Sequence, residues 1–335
     1  NGVGATVIKT VDGGKTWTHP KNNTIFEDAL LFLGSAAHND SIVALGAFDL
    51  FVSNDNGEHW FVATEGTDVV ESQGVFSSGS TFVSVGQLTE LSGDDGAQAG
   101  MLVSEDRGHH WKLVNLTSVA HSIPRYGAAA GNNWFIASGT FPDGTTVEVP
   151  QGGRRVTSRV IAHKDGVKFT STATPDATTS TSAGAGWSAE LLVSHDRGAS
   201  WKSAFHSTGD FYFNEMDCGT PSRCCAAGEA DTSNAPGIRI WCTQDAGSTW
   251  QEALFVPNGT YSLTGMTFLS ETEAMAVGGV FGEIGPQGAL QYHTTDGGKT
   301  WTNVPIDVGA LDFFSADFPV PSTGYGVGLT ALQTT

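Results

Sequence analysis

The sequence predicts an all-β chain arranged as a closed β-propeller of four-stranded antiparallel blades, and three observations predict it. A turn-forming pattern, S/T-x-D-x-G-x-x-W, recurs six times along the 335 residues. Short apolar runs of strand length separate the copies in the same order each time. Glycine, serine and threonine are abundant, and only 15% of residues are charged, a composition of tight turns and short strands with no long amphipathic helix.

The six boxes run Thr10 to Trp17, Ser53 to Trp60, Ser104 to Trp111, Ser194 to Trp201, Thr243 to Trp250 and Thr294 to Trp301. Their aspartates are Asp12, Asp55, Asp106, Asp196, Asp245 and Asp296. An apolar strand, such as Asp49 to Val52 or Glu190 to Val193, enters each box. The Asp carboxylate is suited to accept backbone N–H groups of its own turn, as in an Asx turn. The glycine supplies a positive φ. The tryptophan (Trp17, Trp60, Trp111, Trp201, Trp250 or Trp301) opens the return strand and buries its ring against the next sheet. Aspartates occupied in this way read as structural.

Between boxes the order is strand, strand, box strand. Examples are Phe26 to Leu33 with Ile42 to Phe48, Val75 to Ser77 with Phe82 to Gly86, and Met266 to Leu269 with Ala274 to Gly278. With the strand after each box, this makes a blade of four strands. Successive box aspartates are 43, 51, 90, 49 and 51 residues apart. The 90-residue interval reads as two blades, one lacking a box near Gln151 to Arg154, so that seven units fill the chain as a single domain. The alternative is six blades with an insertion over residues 141–189. Residues 170–186 are rich in Ser and Thr and read as a loop. The N-terminal box strands are expected to pair with Asp312 to Leu329 in one closing blade.

Lys plus Arg number 16 against 35 for Asp plus Glu, a net charge of −19. Such a surface repels phosphate backbones and anionic headgroups, so nucleic acid is excluded as a partner. No apolar run approaches the ~18 residues of a membrane span, so no membrane insertion is expected. Cys218, Cys224, Cys225 and Cys242 lack zinc-type spacing and read as two disulfides of an oxidising compartment. Joining the adjacent Cys224 and Cys225 would be strained, which favours Cys218–Cys224 across a hairpin and Cys225–Cys242 between neighbouring strands. Sequons at Asn22, Asn39, Asn115 and Asn258 agree with a secreted or lumenal glycoprotein. With no signal peptide at Asn1, the expectation is a mature form or a fragment.

These boxes resemble those of the Asp-box (BNR) propellers over essentially the whole chain. That superfamily holds sialidases, xyloglucan-active glycoside hydrolases, sortilin-type receptor domains and the photosystem II assembly factors. Ala276-Val277-Gly278 followed by Thr294 to Trp301 is most similar in look to the last group. The resemblance specifies fold and leaves activity open. A sialidase would carry an arginine triad, an F/Y-R-I-P segment and a Tyr/Glu nucleophile pair. Ile123-Pro124-Arg125-Tyr126 has such letters in another order. The assembly factors carry a basic patch, whereas this chain is acidic.

In a propeller the first strand of each blade lines the channel. Those strand starts carry Glu27, Asp28, Glu71, Arg125, Tyr126, Asn214, Glu215 and Asp312. The expected role is a non-enzymatic binding or scaffold module for a protein or glycan ligand, with Glu27, Asp28, Arg125, Tyr126 and Asn214 as contacts. The alternative is a glycoside hydrolase using Glu71, Glu215 and Asp312, since paired carboxylates can act as acid and base. Converging carboxylates could also hold calcium; no other cofactor or metal site is expected.

Overall fold

A computed structural model describes residues 6–27, 29, 32–46, 49–63, 67, 70–88, 99–141, 157–163, 166–172, 186–231, 233–257, 261–280, 288–306, 310–320 and 323–330. The chain packs as two compact units, Asn1–Gly127 with Ala162–Val167, and Ala128–Ile161 with Lys168–Thr335. Among the described residues no helix is long and apolar enough to cross a membrane.

The first unit holds two antiparallel meanders. One is β1 (Phe32–His38), β2 (Ser41–Gly46), β3 (Leu50–Ser53) and β4 (Phe61–Ala63); the other is β5 (Val70–Ser78), β6 (Thr81–Leu88), β7 (Ala99–Ser104) and β8 (Lys112–Asn115). Their facing sides share a core of Val43, Leu45, Val52, Phe82, Leu102 and Trp111. The strand expected from Phe26 to Leu33 begins only at Phe32, because Asn23–Phe26 forms a 3-10 turn. That turn seats the Phe26 ring edge-on to Phe32 and Trp60, each at 5.6 Å, and buries it almost completely. Aromatic packing outweighs the strand propensity of this segment.

β9 (Pro124–Ala130) and β10 (Asn133–Thr140) share a sheet with β13 (Ser188–Ser194) and β14 (Lys202–Thr208), in the order β14-β13-β10-β9. Thr140 pairs with Ser188 and Trp134 with Ser194, so β10 is hydrogen-bonded directly to β13. The residues between them contribute a separate hairpin of β11 (Thr157–His163) and β12 (Gly166–Thr172). The 90-residue interval thus holds one four-stranded sheet with an insertion between its second and third strands. No second four-stranded sheet occurs there among the described residues.

The next meander is β15 (Tyr212–Thr220), β16 (Arg223–Ala230), β17 (Gly237–Thr243) and β18 (Gln251–Val256). The last sheet runs β19 (Tyr261–Phe268), β20 (Ala274–Val280), β21 (Leu290–Thr294) and β22 (Thr302–Asn303). It also takes in the hairpin of β23 (Ala310–Val320) and β24 (Thr323–Thr330), joined to it by the pair Gly279↔Asp312. Both disulfides lie in the β15–β18 sheet, as Cys218–Cys224 and Cys225–Cys242, and each joins residues that face one another across paired strands.

Five boxes connect the third and fourth strands of their sheets, and the first box spans the isolated bridge Lys9↔Thr18. In the last box, Thr294 Oγ1 accepts the Gly298 N–H at 3.1 Å and donates to Asp296 Oδ1 at 2.8 Å. Asp296 Oδ1 accepts the Thr300 N–H at 3.0 Å, and Oδ2 accepts the Thr300 hydroxyl at 2.6 Å. Equivalent bonds close the other five boxes, with His59 and His110 replacing the hydroxyl residue in two of them. The turn places two consecutive residues at positive φ. They are Asn56-Gly57, Arg107-Gly108, Arg197-Gly198 and Ala246-Gly247, and glycine pairs 13–14 and 297–298 in the two DGG boxes.

The box glycine also meets the preceding sheet. A Cβ on Gly108 would lie 2.9 Å from Val52, and one on Gly247 2.9 Å from Phe135. On Gly298 it would collide with Cys225 Sγ. The tryptophans pack in the same direction, toward the preceding sheet: Trp111 joins the β1–β3 core and Trp250 stands edge-on to Phe135 at 6.1 Å. Trp17 departs from this and is 49% exposed.

These turns hold their carboxylates ionised. Thr16, through hydroxyl and N–H, lowers Asp12 from 3.8 to about 2, and His59 does the same for Asp55. Burial opposes the shift at Asp296, but Thr300 and Thr294 still bring it to about 2. A carboxylate depressed on folding contributes stability that is present above its unfolded value and lost as pH falls through the folded one. Acidification from 3.8 to about 2 should therefore unfold the protein progressively, and Asp296→Asn should flatten that limb in a pH series of urea melts. An unchanged acid limb would remove the box carboxylates as its cause.

Gly298→Ala should be severe, because φ is +87° and the added carbon meets the disulfide sulfur. A loss of about 2–4 kcal/mol is expected in urea unfolding, from backbone strain and overpacking together. Gly34→Ala, with open space at its Cβ, serves as the control and should be close to neutral.

Candidate functional site

The boxes occupy one end of each sheet, together with the turn between its first two strands. The Asn56 N–H bonds to Asp40 O, Arg197 to Asn132 O, Ala246 to Ser222 O and Gly297 to Thr272 O. The opposite end, where first strands begin, is where the sequence reading places its candidates.

In the first unit Glu27 is exposed and directly follows the 3-10 turn. Glu71 is exposed on β5, opposite Gln87. Arg125 and Tyr126 are half-buried neighbours on β9, so their side chains leave opposite faces. Asp28 lies outside the described residues. Asp312 pairs through its backbone with Gly279 and Leu329, and its side chain lies outside the described residues.

Asn214 is buried and makes a bond between sheets. It sits at a β-bulge between Phe213 and Glu215 and donates from Nδ2 to Leu263 O of the neighbouring sheet at 3.1 Å. Thr264, at the corresponding bulge of β19, donates from its hydroxyl to Phe313 O. Similar register shifts occur in β1, β5 and β23.

Glu215 follows that bulge and accepts the Met216 N–H at 2.9 Å. It keeps some exposed surface, but the protein crowding around it dominates. Burial pushes its pKa from 4.5 up to about 8, against the Met216 bond and with help from Asp217. Asp217 is likewise raised by burial, to about 6, although it accepts N–H groups from Cys218 and Phe268, each at 2.7 Å.

The strand-start rim of the second unit holds a cluster that the sequence reading did not single out. Tyr212 Oη donates to Glu229 Oε1 at 2.7 Å, while Glu229 Oε2 accepts the Ser262 hydroxyl and, at 3.1 Å, the Leu263 N–H. Phe141 and Trp187 stand against the Tyr212 ring, with centroids at 5.2 and 5.8 Å. Beside them the Arg239 guanidinium, 4% exposed, lies between Phe211 at 4.7 Å and Phe255 at 4.4 Å. Its donors reach Gly237 O and Ala235 O, and Glu252 faces Nε at 3.5 Å. Phe205 and Trp241 extend the cluster at 4.4 Å. Phe141 and Phe255 remain 46% and 40% exposed, presenting rigid aromatic surface on a buried base. A sequence signal existed in the aromatic run Phe211-Tyr212-Phe213, and it reads equally well as core.

The sequence matches no protein-family model and no curated protein sequence. Solved structures do share its fold. The structure of YCF48 bound to D1 peptide superimposes with a TM-score of 0.55 at 13% identity, covering 97% of this chain and 84% of that one. The Hadza microbial sialidase Hz136 gives 0.51 at 14%, covering 86% of this chain and 61% of its own. The GH74 enzyme of Niastella koreensis gives 0.50 at 13%, with 90% of this chain and 42% of that chain covered. The chain thus spans less than two thirds of both enzymes. The likeness is that of a BNR/sialidase-like β-propeller fold.

Glu215 supplies a pH test. A carboxyl raised on folding contributes stability present below its unfolded value and lost as pH rises through the folded one, here from 4.5 to about 8. Glu215→Gln should therefore gain thermal stability over wild type as pH climbs through that window, and match it at more acid pH. A constant difference across the window would refute the assignment.

Proposed function

We propose that this chain is a binding or scaffold module whose partner, a protein segment or a glycan, docks on the strand-start rim of the second unit. The observation that carries the reading is the pair of half-exposed aromatics, Phe141 and Phe255, anchored on a buried aromatic and arginine base. Rigid aromatic side chains bring large contact area at low entropic cost, the property of interface hot spots. The nearby polar groups support the same reading, since Asn214, Asp217 and Glu229 are committed to bonds that hold neighbouring sheets together. The similarity to a propeller solved with a bound peptide is compatible with a protein partner.

A second reading, glycoside hydrolysis, is favoured by one observation, the Tyr212–Glu229 hydrogen bond at 2.7 Å. A tyrosine beside a carboxylate is a known variant of glycosidase nucleophile, and Glu215, raised to about 8, would be a proton donor at neutral pH.

Peptide and glycan arrays run beside a polysaccharide-hydrolysis screen separate the two. The binding reading expects retention without turnover, weakened at least tenfold by Phe141→Ala and unaffected by Glu215→Gln. Reducing-sugar release abolished by Tyr212→Phe or Glu215→Gln would overturn it.

A further inference from the structure

We propose that Asn115 is the acceptor of an N-linked glycan that covers the exposed edge of β8, and that Asn22, a sequon of the same type, is a structural clamp that carries none. The four sequons look equivalent in sequence. The side chains of Asn22, Asn39 and Asn115 are described, and Asn258 lies outside the described residues.

Asn22 has both ends of its carboxamide committed. Its Nδ2 donates to Trp60 O at 2.7 Å, and its Oδ1 accepts the Trp60 N–H at 3.0 Å. The side chain thus bonds like an extra strand residue to the backbone that opens β4. A sugar on Nδ2 needs open space where the Trp60 carbonyl lies. Asn39 is exposed in the β1–β2 turn, but the hydroxyl of its sequon is occupied. Ser41 is buried and accepts the Arg107 Nε–H at 2.7 Å, while Asp40 pairs with the same guanidinium at 2.7 Å.

Asn115 differs in its exposure and its carboxamide, and the Thr117 hydroxyl donates only a long bond, 3.4 Å, to Ala99 O. It ends the edge strand of its sheet and is exposed, as is Thr117. Its Oδ1 accepts the Thr117 N–H at 2.9 Å, an Asx turn that uses the carbonyl oxygen and leaves Nδ2 unengaged among the described residues. Leu113 stands two residues earlier, on the same face of the strand, and is 45% exposed. An edge strand with an exposed apolar side chain invites pairing with another chain, and natural proteins cover such edges. A glycan at Asn115 would cover both Leu113 and the edge of β8, which is unpaired among the described residues. The two disulfides point to the oxidising route on which such transfer takes place. In the transfer, Nδ2 bonds to C1 of the first sugar of an isoprenoid-diphosphate-linked oligosaccharide. The C1–O bond breaks, the diphospholipid departs and one Nδ2 proton is lost, with no change of oxidation state.

The test is secretion of the full chain from a eukaryotic host, with enzymatic deglycosylation in heavy-oxygen water and peptide mapping. The labelled aspartate should appear at position 115 and be absent from position 22. Asn115→Gln and, separately, Thr117→Ala should each remove that glycan mass, whereas Asn22→Gln should leave it and lower the thermal midpoint. Deglycosylated protein should aggregate several-fold faster at equal concentration, and Leu113→Thr should suppress the increase. Unmodified Asn115 in the folded, secreted protein would overturn the proposal. So would a glycan at Asn22 in protein that still unfolds cooperatively at the wild-type midpoint.

Discussion

The hydrogen bonds between a Ser or Thr hydroxyl, an Asp carboxylate and the N–H groups of one turn are the constraint on which the sheets depend. In the box from Thr243 to Trp250, the Thr243 hydroxyl takes the Gly247 N–H, and Asp245 takes the Thr249 N–H and hydroxyl. Satisfying those donors forces Ala246 and Gly247 to positive φ. With the backbone bent that way, the Ala246 N–H reaches Ser222 O in the turn between β15 and β16, and Gly247 lies against Phe135 and Val193 of the preceding sheet. One local turn therefore sets the fourth strand, fastens it to the first hairpin and seats its own sheet on the preceding one. An alanine tolerates the first positive-φ position at a cost of roughly 1 kcal/mol, but the second admits only glycine because the neighbouring core occupies the Cβ space.

The opposite end of the sheets is joined by a different device. Bulges in the first strands direct Asn214 and Thr264 sideways onto the carbonyls of Leu263 and Phe313. Asp217 and Glu229 add bonds to Phe268 and Leu263 across the same junction. Crowding there raises Glu215 and Asp217, whereas the exposed box turns lower their aspartates. The two sets of carboxylates thus respond to pH with opposite signs: the boxes favour folding above acid pH, and the junction favours it below neutral. The same shared bonds explain why several acidic residues near first strands belong to architecture.

The aromatic rim follows from these junctions. Arg239 is buried, and its charge is compensated by two ring faces, two carbonyls and Glu252. Phe211 and Phe255 are held by that cation, so the exposed part of Phe255 rests on a fixed base. Phe141 gains the same rigidity from Tyr212, whose hydroxyl is anchored on Glu229. Surfaces of this kind lose little entropy when covered.

By itself the sequence determined whatever is set within a few residues: the box turns and the hairpins that flank them, and it favoured the Cys218–Cys224 and Cys225–Cys242 pairings that the structure contains. The turns and hairpins follow from contacts closed inside one turn, which spacing alone expresses. The tertiary structure decided the rest. Continuing the Cys218↔Cys224 register along β15 and β16 would set Tyr212 opposite Ala230; the bulge at Asn214 sets it opposite Glu229, and so creates their hydrogen bond. A register shift of one residue leaves no mark in the order of amino acids, because the bond that stabilises it is made to another sheet, at Leu263. The partition of the 90-residue interval is of the same kind: β10 closes on β13 across the insertion because their facing residues pair seven times, a match between segments far apart in sequence. Local turns could be read from neighbouring residues, whereas bulges and distant strand pairings depend on partners that only the folded chain brings alongside.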